Sequence, residues 1–203
     1  MASKVDIANF ALGEVGEQSI ATLEDATTPA REAKRFIDQA IREVLASGKW
    51  KCARETAVLA QDATAPAFGW NYAYTLPANY VRMVTFNDVD PDFVTTEVYE
   101  RRGNQILTDE TTAKVVYVKD LTVAEGDVGR MGPLMVKACY LNLAVKLVWR
   151  FQQSRVNRDT LKEDYMLSLK RAKVEDGTEE IAPLPDRASS SRWVSARSSS
   201  TNG

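Results

Sequence analysis

Apolar residues along this chain recur at three- and four-residue steps in its first fifty positions, at shorter steps in its middle, and almost without interruption at 134–151. Ser3 followed by Asp6 has the form of a capping box. Ile7, Ala8, Phe10, Ala11 and Val15 then make one face of a first helix, which Gly13 and Gly16 weaken towards its end. Residues 16–28 read as a connecting loop. Thr28 as N-cap with Pro29 at the first helical position opens a second helix. In it Ala33, Phe36, Ile37, Ala40, Ile41, Val44 and Leu45 face one way and Arg31, Glu32, Arg35, Asp38, Arg42 and Glu43 the other, and Gly48 closes it.

After Trp50 the period shortens. Residues 51–60, 70–76, 80–87, 93–99, 105–108 and 114–119 predict short strands, with a loop at 61–69 and turn residues around Pro77, at 88–91, at 102–104 and at 109–112. The last of these mixes β-branched and aromatic residues as a half-buried strand does. Residues 126–132 form a glycine-bearing loop, and Pro133 opens the apolar run.

Fourteen of the eighteen residues from 134 to 151 are apolar. Wound as a helix, Asn142, Lys146 and Arg150 fall in one stripe and Lys137 stands nearly opposite. Such a helix needs neighbours on several sides, and its three cations argue against a membrane span. It is either the central helix of a domain or one shared between subunits; three thin helices and a small sheet are expected to leave part of it uncovered. Asn157 is expected to cap a last helix, with Leu161, Tyr165, Leu169 and Ala172 on one side and Lys162, Lys170, Arg171 and Lys173 on the others. Ala182-Pro-Leu-Pro stops helix, and seven serines crowd residues 188–203. The segment 175–203 cannot bury a core of its own and is expected to be a flexible tail.

The order predicts a fold that is mainly α with a β insertion. A four-helix up-and-down bundle (residues 3–49 and 130–174) would carry a small antiparallel β element (50–128) between its second and third helices, all within a domain spanning 1–174.

Composition narrows the chemistry. The 203 residues include no histidine, which removes Ser-His-Asp and Cys-His arrangements and histidine-ligated zinc together. Cys52 and Cys139 lack any CxxC pairing and read as buried reduced thiols. With no signal-like apolar run at the start, synthesis in the cytoplasm is expected. No cofactor or metal motif is visible, and none is expected. Charge is unevenly spread: residues 51–128 carry 7 basic and 12 acidic groups, residues 129–174 carry 10 and 3. These are solvated faces, or regions that meet across a subunit boundary, or a basic part facing nucleic acid.

Three passages, in order, resemble the head-to-tail adaptor family of short-tailed bacteriophages, also called tail tubular protein A. They are Ala11-Leu-Gly-Glu-Val-Gly-Glu-Gln-Ser-Ile-Ala-Thr-Leu-Glu-Asp with the helix after it, Trp50-Lys-Cys-Ala-Arg, and Gly69-Trp-Asn-Tyr-Ala-Tyr-Thr-Leu-Pro-Ala-Asn-Tyr-Val-Arg. With the later helix pair they span roughly residues 5–170; Cys52 departs from the family's usual aromatic. The resemblance implies a virion structural protein of the tail or neck, made in the host cytoplasm. It implies a ring (dodecameric in the family) below the portal protein that extends the DNA channel, without sequence-specific binding, and receives the tail nozzle. No catalytic positions carry over. The tail, through Arg187, Arg192, Trp193 and Arg197, is the expected portal contact, and Lys146 and Arg150 are expected at a neighbouring subunit. The acidic middle would suit a channel wall over which DNA slides. Two other functions are open to the same residues: a nucleic-acid-binding helical protein, built on the basic surplus at 129–174, and a cell-wall hydrolase using two carboxylates.

Overall fold

The computed structural model describes residues 2–93, 98–124, 126–152 and 155–178. Four helices, α1 (Lys4–Glu14), α2 (Thr28–Ala46), α3 (Pro133–Phe151) and α4 (Arg155–Thr178), enclose one core. Six strands, β1 (Arg54–Leu59), β2 (Tyr72–Thr75), β3 (Tyr80–Phe86), β4 (Glu100–Arg102), β5 (Gln105–Thr108) and β6 (Ala113–Lys119), make two three-stranded antiparallel sheets, ordered β1-β6-β3 and β2-β5-β4. This corrects the expectation of a four-helix up-and-down bundle with a single small β element. The β part is a two-sheet sandwich with its own core, and one of its sheets is also a wall of the helical core.

Strand β6 shows how the layers join. Ala113, Val115 and Tyr117 point into the core between the sheets, while Val116 and Val118 point at the helices. Successive side chains of a strand alternate between faces, so a run with apolar residues at both parities is covered on both. The strand is therefore covered on two faces rather than half-buried. The inner sheet β1-β6-β3 lies between helices and the outer sheet β2-β5-β4.

The capping box of α1 is present: Ser3 Oγ accepts from the Asp6 amide at 3.1 Å, and Asp6 accepts from the Ser3 amide at 2.8 Å. Asn9 pins the loop that follows, bonding both backbone groups of Ile20 at 2.8 and 3.0 Å. The cap of α2 is Thr27, one residue earlier than expected, because its hydroxyl is the one that reaches the Ala30 amide. Asn157 lies inside α4 rather than capping it, and its amide donates to Gln152. Helix α4 runs past Val174 to Thr178, where Asp176 accepts from the Lys51 amide at 2.9 Å.

Residues 51–53 form a 3-10 turn before β1. Asn87 and Asp88 adopt positive φ in a tight turn closed by reciprocal Phe86–Val89 bonds. The expected strand at 93–99 lies partly outside the described residues; the strand found is Glu100–Arg102, beyond that stretch and overlapping the expected turn at 102–104.

Helix α3 is the centre of the helical core. Met135, Val136, Ala138, Cys139, Leu141, Leu143, Ala144, Leu147 and Val148 are buried against α1, α2 and α4. Most of the helix is covered; the part expected to stay uncovered is small, with Leu134, Tyr140 and Val145 only partly buried. Trp149, at 57% exposed, is its one fully outward large apolar residue.

Candidate partner interfaces

The expected contact residues divide in two. Arg187, Arg192, Trp193 and Arg197 lie outside the described residues, as does most of the 175–203 tail. Lys146 and Arg150 are on α3 and pair within the chain: Lys146 Nζ is 2.8 Å from Glu43 Oε1, and Arg150 Nε is 3.3 Å from Glu32 Oε1. Beside them buried Asn142 donates to the Ala40 carbonyl at 3.0 Å and to Glu43 Oε2 at 2.9 Å. The polar stripe of α3 is thus laid along α2, which runs antiparallel to it. Arg150 remains 63% exposed and can reach a second acceptor.

Burial alone would raise the Glu43 carboxyl; hydrogen bonds from Lys146 and Asn142 outweigh it and hold the group below its ordinary 4.5. Asp120 behaves alike. Burial pushes it up, but Thr122 and Arg42 hold it below 3.8. For groups depressed in the folded state, the stabilisation is complete above the unfolded values and drains as pH falls through the folded ones. Thermal melts are therefore expected to be flat from neutral pH to about 5, then to decline. Glu43→Gln should flatten part of that acid decline; equal slopes in both proteins would remove Glu43 from the account.

Two sets of unpaired charge occupy different layers. Among the described residues Lys137, Lys162, Lys170, Arg171 and Lys173 of the helical layer make no ion pair, nor do Asp88, Asp109 and Glu110 of the sandwich. Exposed apolar residues accompany both: Met166, Leu167 and Val174 on α4, and Val58 (70% exposed) on β1. Spacing revealed Lys162, Lys170, Arg171 and Lys173; the company of Asp88 with Asp109 and Glu110 could not be read from it, because two separate loops bring them to one end.

The other expectations find these surroundings. The alternating aromatics Trp70, Tyr72 and Tyr74 are engaged within the chain. Tyr74 is buried with its hydroxyl on the Glu110 carbonyl, and Trp70 donates to Glu100. A hydrolytic general acid needs a raised carboxyl; Asp6, Asp25, Glu43, Asp90, Glu100 and Asp120 all titrate below their ordinary values. Both cysteines are free, with Cys139 buried and Cys52 half-buried, and burial pushes the Cys139 thiol well above its usual range. Among the described residues no cluster of three or more ligating side chains is placed to hold a metal, and no helix is long and apolar enough to cross a membrane. No protein-family model matches this chain, and no curated protein matches it.

Proposed function

We propose that this chain is a structural head-to-tail adaptor of a bacteriophage virion, assembling as a ring below the portal, extending the DNA channel and receiving the tail nozzle. The observation that carries the reading is the order and spacing of the three adaptor-like passages, taken with the work their residues do. Leu12, Val15 and Ile20 of the first pack into the helical core, and Asn9 and Asp25 fix its loop. Trp50 and Ala53 of the second are buried where α2 turns into β1. Tyr74 and Leu76 of the third fill the core between the sheets. All are joints of a scaffold, the role a virion component needs. The reading draws nothing from α3, whose apolar surface is mostly covered within the chain.

Mixing the protein with the portal of the same virus and examining it by native mass spectrometry and electron microscopy tests this. A closed ring seated on the portal is expected. A strict monomer that ignores the portal at every concentration and salt would end the proposal.

A further inference from the structure

Helix α4 has two sides. Leu161, Tyr165, Ser168, Leu169 and Ala172 face the core, at the spacing of one helical stripe. The outward side between residues 166 and 174 carries exposed Met166, Leu167 and Val174 together with Lys170, Arg171 and Lys173. No carboxylate falls in that stretch; Glu163 and Asp164 precede it and Glu175 and Asp176 follow it. Next to its far end Lys173 shares a recess of about 260 Å³ with Arg54 and Lys51. There the Lys51 Nζ is buried without a hydrogen-bond partner. A buried, unmet cation is costly, and the Asp176 carboxylate nearby is engaged by the Lys51 amide, not the ammonium.

The complementary surface is at the other end of the sandwich. Asn87 bonds the Thr112 carbonyl and the Lys114 amide, and Tyr74 bonds the Glu110 carbonyl. These contacts gather the 87–88 turn and the 109–112 connection, and with them Asp88, Asp109 and Glu110, none of which makes an ion pair among the described residues, while Asp109 Oδ1 accepts from the Asn71 amide at 2.9 Å. Val58, opposite Lys114 in the inner sheet, shares a recess with Asp88, and Lys114 is the one cation lining it. One patch is apolar and basic, the other apolar and acidic.

A single chain cannot bring the two together. The α4 recess is built on Arg54, at the start of β1, and the acidic patch on Val58, near its end. Four residues of extended strand hold them about 13 Å apart along its axis. Two different, mutually complementary faces on one protomer make a heterologous contact, the kind that closes into rings.

We infer that the outward face of α4, from Met166 to Val174, docks on the Asp88–Asp109–Glu110 end of the β sandwich of a second copy of this chain. The inference rests on the ring reading of the previous section and specifies which surfaces meet.

A charge-swap pair tests it in the full chain. Lys170→Glu with Lys173→Glu makes the α4 face acidic; Asp88→Asn with Glu110→Lys makes the sandwich end basic, the asparagine keeping a residue suited to positive φ. Assembly is measured with and without portal by native mass spectrometry, after circular dichroism shows each variant folded. Each variant alone is expected to assemble at least tenfold more weakly than the wild type, and an equimolar mixture to recover assembly with both variants incorporated. If wild type and both single variants assemble equally well on the portal, this contact is wrong while the adaptor reading stands. If wild type assembles by this contact and ignores the portal, the contact stands and the adaptor reading falls. A wild type that never assembles overturns both.

Discussion

Trp50→Ala is expected to lower the unfolding free energy by about 3–5 kcal/mol, the largest single loss in the helical layer. Its ring is 1% exposed and sits where α2 ends and the inner sheet begins. The neighbouring chain is shaped around it: a Cβ added at Gly48 would come within 3.0 Å of the indole. The indole Nε1 donates to the Val44 carbonyl at 2.7 Å, but that carbonyl also receives the Ser47 amide and hydroxyl. It therefore keeps partners after truncation. The cost comes chiefly from the cavity and the lost contacts, not from an orphaned acceptor. Trp50→Phe, which keeps most of the volume and loses only the donor, should cost about 1 kcal/mol beyond the small volume change. Urea unfolding measures both. A loss below about 1 kcal/mol for the alanine variant would mean that the joint does not depend on this ring.

Phe86→Ala should cost a similar amount, about 3–5 kcal/mol, but in a different place. Phe86 is 1% exposed in the core between the sheets, tilted against Tyr99 with ring centroids 5.0 Å apart. The outer sheet holds to the rest of the molecule through this core of Tyr74, Leu76, Met83, Ile106, Val115 and Tyr117. Its opening should separate from that of the helices. Hydrogen exchange is expected to accelerate at Ile106 and Leu107 of β5, while Leu143 and Leu147 of α3 stay protected. Equal acceleration at both would show that sandwich and helices open as one unit.

How much of this was legible varies by element. Helix α2 was readable because its apolar positions lie on one face and its charged positions on the other, a pattern local to nineteen residues. Its start was misread by one residue, since Thr27 and Thr28 both offer a hydroxyl and only geometry selects between them. Strand β6 carried its own signal. Val115, Val116, Tyr117 and Val118 are consecutive apolar residues, the mark of a strand covered on two faces. That signal already contradicts a half-buried strand. Strand β4, Glu-Arg-Arg, carries no such signal: three charged residues become a strand only because β5 offers them an edge.

The candidate site was legible only in part. The cations of α4 stood out by spacing, whereas the pairing of Lys146 with Glu43 and of Arg150 with Glu32 joins residues about a hundred positions apart. From α3 alone those side chains looked available to another subunit.

Periodicity along the chain determined which side of each helix is buried, where the turns fall and where charge accumulates, because these depend on neighbours within a few residues. It did not determine what covers a buried side. Tertiary structure decided that α3 is largely covered by its own chain and that the strands divide into two sheets, and it gathered Asp88 with the Asp109–Glu110 pair at one end of the sandwich. Each outcome depends on contacts between distant segments, whose free energy is set by the area that all of them bury together and is carried by no single stretch of sequence.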